Sequence, residues 1–173
     1  MFRLPRLTPL ILLGLLCAAH AAPLKVELPL QAEVPALWTQ TRLPGPAQSA
    51  SVTAPGSPPP VALVLFAAPL GRQASASDLR AFIAGVEGVA ATGGRLTLTL
   101  LSEKPRTVGG VKGVERRYTM LVRASGVKVG TRIWFGAGPK FLYQMQMTNA
   151  LNASAAQTGS FDQMLDTMTF KAK

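Results

Sequence analysis

The alternation of apolar and polar positions is most regular between residues 114 and 148. Val114 to Ala124, Val127 to Phe135 and Phe141 to Thr148 read as three strands. Ser125-Gly126 predicts a tight two-residue turn between the first two, and Gly136 to Lys140 joins the second to the third. Such a turn sets the register, so that Val122 faces Val129, Tyr118 faces Ile133 and Arg116 faces Phe135. Carrying the alternation on adds Phe141, Tyr143, Met145 and Met147 to this buried side. The other side then holds Arg117, Thr119 and Arg123 with Lys128, Arg132 and Trp134. On that register Arg123 pairs with Lys128, and Arg117 lies opposite Trp134 within reach of a cation–π contact.

Elsewhere the period changes. Leu24 to Leu28 alternates as a short strand, and Ala36 to Leu43, with Trp38, reads as a second. Residues 44–60 hold six prolines, at 44, 46, 55, 58, 59 and 60, among Ser, Ala and Gly, which predicts a long mobile surface loop. Val61 to Ala67 is a continuous apolar run, as in a buried strand. A helix follows, capped by Ser75 with Asp78 three residues on, and Leu79, Phe82, Ile83 and Val86 share one of its faces. Arg95 to Leu100 alternates again. A second helix, capped by Ser160 with Gln163, repeats the stripe at Phe161, Met164, Leu165 and Met168, and Thr169 to Lys171 closes the chain as an extended piece. Strands, helix, antiparallel strands and a final helix make an α+β fold, an antiparallel β-sheet packed with two or more α-helices.

This order resembles the PsbP-like and DcrB-like domains of exported bacterial and thylakoid-lumen proteins. The matching features are the strand-then-helix start (Val61 to Val86), the turn Gly109-Gly110-Val-Lys-Gly113, the strand Phe141-Leu-Tyr143-Gln, and the ending from Phe161 to Phe170. The resemblance implies a PsbP-like α/β/α sandwich and a non-enzymatic binding or assembly role, with no catalytic residues to carry over. The Pro-rich segment at 44–60 departs from that pattern.

The N-terminus changes the picture of the compartment. Arg3 and Arg6 precede an apolar run from Leu10 to Ala19, and Ala19-His20-Ala21 places small residues before a cut ahead of Ala22. The run is well short of the roughly 20 residues that span a bilayer. Lipidation at Cys17 would want a small residue where Leu16 stands. Residues 1–21 therefore read as a signal peptide, and 22–173 as one secreted or periplasmic domain without a transmembrane segment.

Cleavage would remove Cys17 and His20, the chain's lone cysteine and histidine. What remains cannot form a Ser-His-Asp or Cys-His nucleophile, a His- or Cys-ligated zinc site or a thiol redox centre. No cofactor or metal is expected. Ser125-Gly-Val-Lys128 matches a Ser-x-x-Lys pattern, but on a hairpin turn rather than a helix. Asp162 and Asp166 sit one turn apart, on the solvated side of their helix. Met120, Met145, Met147, Met164 and Met168 suit Cu(I) chemically, yet all fall on predicted core faces. Asn152-Ala-Ser154 fits a glycosylation sequon and carries no more than that.

Charge is the remaining signal. The formal net charge is +10, and losing Arg3 and Arg6 leaves +8. Between Lys104 and Lys140 stand nine basic residues and one acid, Glu115. The leading expectation is an exported, non-catalytic binding or assembly protein of the cell envelope. It would meet an anionic envelope component or acidic protein through Arg117, Arg123, Lys128, Arg132 and Trp134. The alternative is a carrier that holds a small apolar or amphipathic ligand between sheet and helix. Nucleic acid ranks below both, because export makes it an unusual partner. N-terminal sequencing of the exported protein should find Ala22 first; a retained Met1 or a lipid on Cys17 would refute the processing.

Overall fold

From Val61 to Ala68 of the strand Val61–Pro69, every second residue is sealed from solvent and the residues between are half-buried. The computed structural model describes residues 21–45, 48–92 and 94–171; residues 1–20 of the signal-peptide reading, with Cys17 and His20, fall outside them. In chain order the elements are β1 (Ala21–Pro23), β2 (Leu30–Gln31), β3 (Glu33–Pro35), β4 (Thr39–Arg42), β5 (Gln48–Thr53) and β6 (Val61–Pro69), then α1 (Ala76–Thr92). They continue as β7 (Leu96–Val108), β8 (Val111–Val122), β9 (Val127–Ala137), β10 (Phe141–Asn149), α2 (Ala155–Thr167) and β11 (Thr169–Phe170). Seven strands form one antiparallel sheet in the order β4-β5-β6-β10-β9-β8-β7. The short pairs β1-β3 and β11-β2 lie apart from it. No helix among the described residues is long and apolar enough to cross a membrane.

Two cores occupy the two faces. On one, Leu63, Leu65, Met145, Met147 and Trp134 pack with Phe161, Met164, Leu165 and Met168 of the α2 segment and with Leu28 and Val34. On the other, Tyr118, Ile133 and Phe135 pack with Leu79, Phe82, Ile83 and Val86 of α1. The stripe expected on each helix is the stripe it buries. The fold is thus α+β, rich in sheet.

The β8–β9 turn takes four residues rather than two, so Arg116 meets Ile133, Tyr118 meets Thr131 and Met120 meets Val129. The slip is two positions, which leaves each side chain on its expected face. Strand β10 does change sides. Tyr143 pairs with Gly136 and Met145 with Trp134, so Tyr143, Met145 and Met147 face α2, opposite Tyr118 and Ile133. Apolar residues line both faces of these inner strands, and hydrophobicity alone cannot tell the faces apart.

The Pro-rich segment is not simply a mobile loop. Its proline-free stretch forms β5, where Ala50 and Val52 are fully buried and pair with Leu65 and Leu63. Strand β7 runs on to Val108 through Pro105, which an edge strand tolerates because no outer neighbour needs its N–H. The predicted strand at Leu24–Leu28 is irregular, although Leu28 is buried, and the strand at 36–43 shrinks to β4. Helix α1 keeps its cap: Ser75 Oγ accepts from Asp78 N, and Asp78 accepts from Ser75 N. Helix α2 starts earlier than expected, on a Ser154–Gln157 capping box.

Trp134 is fully buried in a slot where Gly136 and Gly113 face each other across β9 and β8. A Cβ on Gly136 would overlap the indole ring, and one on Gly113 would overlap the Phe135 carbonyl. Replacing Leu165, 1% exposed, by Ala should cost about 2–5 kcal/mol through lost burial and a cavity. Thermal melting checks this, and an unchanged midpoint would mean that α2 is not docked.

Candidate functional site

The basic face expected from the sequence is covered by α2 at Arg132 and Trp134 and open at Arg117, Arg123 and Lys128. Glu115 is the anchor, with no exposed side-chain surface. Arg106 Nη1 reaches its Oε2 at 2.9 Å, and Arg132 donates to Oε1 from Nε at 3.2 Å and Nη2 at 2.9 Å. Lys104 and Arg117 approach at 3.4 and 3.5 Å. The same two half-buried guanidiniums hold α2: Arg132 bonds both oxygens of Asp162 at 2.9 Å, while Arg106 reaches Asp162 at 2.6 Å and Asp166 at 3.0 Å. Arg132 also lies over the Phe161 ring, 4.4 Å from its centroid. Asp162 and Asp166, expected in open water, are thus the helix's half of a clasp.

Of the five residues expected to meet a partner, Trp134 is buried and Arg132 is half-buried in the ion network. Trp134 donates its indole N–H to the Arg106 carbonyl at 3.0 Å. Arg117 stands opposite Arg132 rather than Trp134, and the two share Glu115. Lys128 pairs with Leu121, not Arg123, because the longer turn takes Arg123 out of the ladder and leaves its Nε on Thr97 Oγ1 at 3.0 Å. Only Arg117, Arg123 and Lys128 of the five keep substantial exposure. Ser125 of the Ser-x-x-Lys pattern accepts from Val127 N, inside the turn. Met145, Met147, Met164 and Met168 are core residues.

Burial by itself would raise the Glu115 carboxyl, but the hydrogen bonds from Arg106 and Arg132 outweigh it and hold that group below its ordinary value. The Arg132 bond, against partial burial and with help from Arg106, lowers Asp162 to about 2.

The α1 face is built differently. Glu87 accepts from Arg116 Nη1 and from the Tyr118 hydroxyl, each at 2.8 Å, which ties the middle of α1 to the sheet. Burial, then the Glu87 hydrogen bond, raises the Tyr118 hydroxyl, so it remains a donor. Beyond Glu87 the helix covers little. One cleft of about 490 Å³ runs between α1 and Phe66 and Gln144, and another of about 270 Å³ reaches Leu98, Met120, Thr131 and Ile133. Val86 and Val89 line both, which makes them neighbours along one groove. No sequence signal marked this groove beyond the alternative of a ligand between sheet and helix. A larger cleft of about 680 Å³ sits at the start of α1, lined largely by the turns Gly109-Gly110 and Gly138-Pro139. There Asp78, held by Arg72, already occupies the helix N-terminus.

No protein-family model matches this chain, and no curated protein sequence does either. Solved structures do. The solution structure of cyanobacterial PsbP (CyanoP) from Synechocystis superposes with a TM-score of 0.62 at 14% identity, over 82% of this chain and 86% of that one. A Bacteroides thetaiotaomicron crystal structure gives 0.55 at 11% identity, over 86% of this chain; the chain spans about half of that protein's length, 48%. The domain therefore has a PsbP-like fold.

Removing one side of a buried ion pair leaves an uncompensated charge, so Glu115→Ala should cost about 3–5 kcal/mol. The lowered carboxyls also set an acid limit. A group held below its unfolded value contributes stability above that value and loses it as the pH falls through the folded one. Stability should thus decline from about pH 4 through about pH 2, the span between the ordinary Asp value and that of Asp162. Denaturant unfolding across this range checks it, and a flat profile would mean that the clasp is unmade in solution.

Proposed function

We propose that this is an exported, non-catalytic binding protein whose ligand lodges between α1 and the sheet, in a PsbP-type α/β/α sandwich open along one helix. The observation that carries the reading is the contrast between the two faces. Leu63, Leu65, Ala67, Met145 and Met147 are at most 1% exposed under α2, while Val64, Phe66, Gln144 and Gln146 on the other side of the same strands are only half-buried. Val89, on the groove itself, is 76% exposed. Clefts of this size and lining fall near the lower end of the ~300–1,000 Å³ usual for small-molecule sites.

Charge on this face supports an anionic or amphipathic occupant through Arg95 and Arg123, which line clefts on the α1 side, whereas Arg117 and Lys128 stand exposed on the α2 side. The basic sheet face itself is the weaker candidate, because Trp134 and Arg132 would have to leave a core and an ion network to take part.

Titration with the anionic, amphipathic fluorophore 1-anilinonaphthalene-8-sulfonate should give saturable binding. Val89→Trp, a change at an exposed position, should block it without lowering the melting temperature. Absence of saturable binding, or binding that Val89→Trp leaves intact, would overturn this site.

A further inference from the structure

We propose that the groove beneath α1 takes a linear alkyl carboxylate, a fatty acid or its close chemical equivalent. This deepens the binding reading above and rests on it. The pointer is Thr131. It is 2% exposed, it lines the cleft under the end of α1, and its hydroxyl has no hydrogen-bond partner among the described residues. Buried hydroxyls are ordinarily paired, so an orphan on the wall of a cleft calls for an acceptor that arrives from outside.

Its polar neighbours are engaged with one another. Gln144 Nε2 donates to Gln146 Oε1 at 3.1 Å, and Gln146 Nε2 donates to Thr148 Oγ1 at 3.2 Å. Thr148 stands directly across the ladder from Thr131, yet the row of bonds stops there. The Tyr118 hydroxyl, on the strand to the other side, is spent on Glu87. Thr131 is thus the donor that remains.

Shape and charge narrow the class. Val86 and Val89 line both clefts, and Phe66, Phe82, Leu98, Met120 and Ile133 give the space under α1 an apolar wall that suits an alkyl chain. Each methylene of an alkyl chain buried there is favourable by the ordinary hydrophobic increment. Arg95 lines the same cleft as Thr131 and makes no ion pair among the described residues. Arg123 lines the adjoining one, where the facing carboxylate, Glu87, is already held by Arg116 and Tyr118. A free acid head is therefore drawn in, and an ammonium head is repelled. Gly85 of α1 lines the groove, and a Cβ added there would meet nothing within 4 Å, so the wall is open at that point.

Calorimetric titration below the micelle threshold separates the possibilities, using dodecanoate, dodecanol and dodecyltrimethylammonium. Dodecanoate should bind saturably and about 10-fold more tightly than either of the others. Thr131→Val should weaken dodecanoate by about 10-fold while the melting temperature holds or rises, because an unpaired buried hydroxyl is removed. Arg95→Gln should weaken dodecanoate and leave dodecanol unchanged. If the three compounds bind alike, or Thr131→Val binds dodecanoate as the wild type does, the carboxylate assignment falls while fluorophore binding upholds the groove. If neither the dodecyl compounds nor the fluorophore bind, both fall together.

Discussion

A carboxylate shut away from water must be paired, and in this fold Glu115 is that carboxylate. Its partners come from strands on both sides, Arg106 from β7 and Arg132 from β9. Arg106 reaches it only because β7 changes phase. The register shifts between Leu100 and Ser102, so Leu96, Leu98 and Leu100 face α1 while Ser102, Lys104 and Arg106 face α2. Without that one extra residue the even-numbered positions would all point to α1, and Lys104 and Arg106 would stand among leucines. A bulge re-aims side chains in this way and puts the charges where the buried acid needs them. Asp162 and Asp166 then meet guanidiniums that are already oriented, and α2 settles over Trp134.

This explains why the basic zone is legible in the sequence and its use is not. Nine cations between Lys104 and Lys140 look like a surface because their carboxylates are remote: Asp162 is 30 residues from Arg132 and 56 from Arg106. Local elements were far easier to read. The α1 stripe and its Ser75–Asp78 cap follow from residues within one helix, and so do the four apolar positions around α2. The strands at 61–67, 114–124, 127–135 and 141–148 carry their own period. What failed depended on partners. Gln48–Thr53 is a strand because Leu63 and Leu65 lie alongside it, and its Ser, Ala and Val pattern is too quiet among six prolines to announce that. Likewise β10 shows apolar residues at both Leu142 and Tyr143, so its sides are decided only by pairing with β9 and β6.

The two faces of the sheet consequently differ in kind. The α2 face is closed by a helix, the N-terminal segment around Leu28 and Val34, and an ion network that fixes the helix in place. Opening it would expose Trp134, the largest buried side chain, and strand several charges at once. A face built that way supplies stability and is costly to use for anything else. The α1 face is held by Leu79, Phe82, Ile83 and Val86, of which only Ile83 is buried, and by a single carboxylate, Glu87, with a cleft beneath the end of the helix. Local stability is lowest where apolar contacts are fewest, and binding sites are drawn from such regions.

The PsbP-like fold by itself does not choose between these faces, because a fold carries many functions and the site decides among them. The choice comes from polar satisfaction. On the α2 side the charged groups at the core are all answered: Glu115 by Arg106 and Arg132, and both of these by Asp162. On the α1 side the row from Gln144 through Gln146 ends at Thr148, and Thr131 beside it is left with nothing to donate to. Leaving such a group unpaired costs about 1–3 kcal/mol, and replacing Thr by the isosteric Val would remove that cost. Under the proposed reading, the Thr131 hydroxyl finds its acceptor in the ligand's head group. The same reasoning separates Thr131 from the buried methionines, which are equally hidden but ask for no partner.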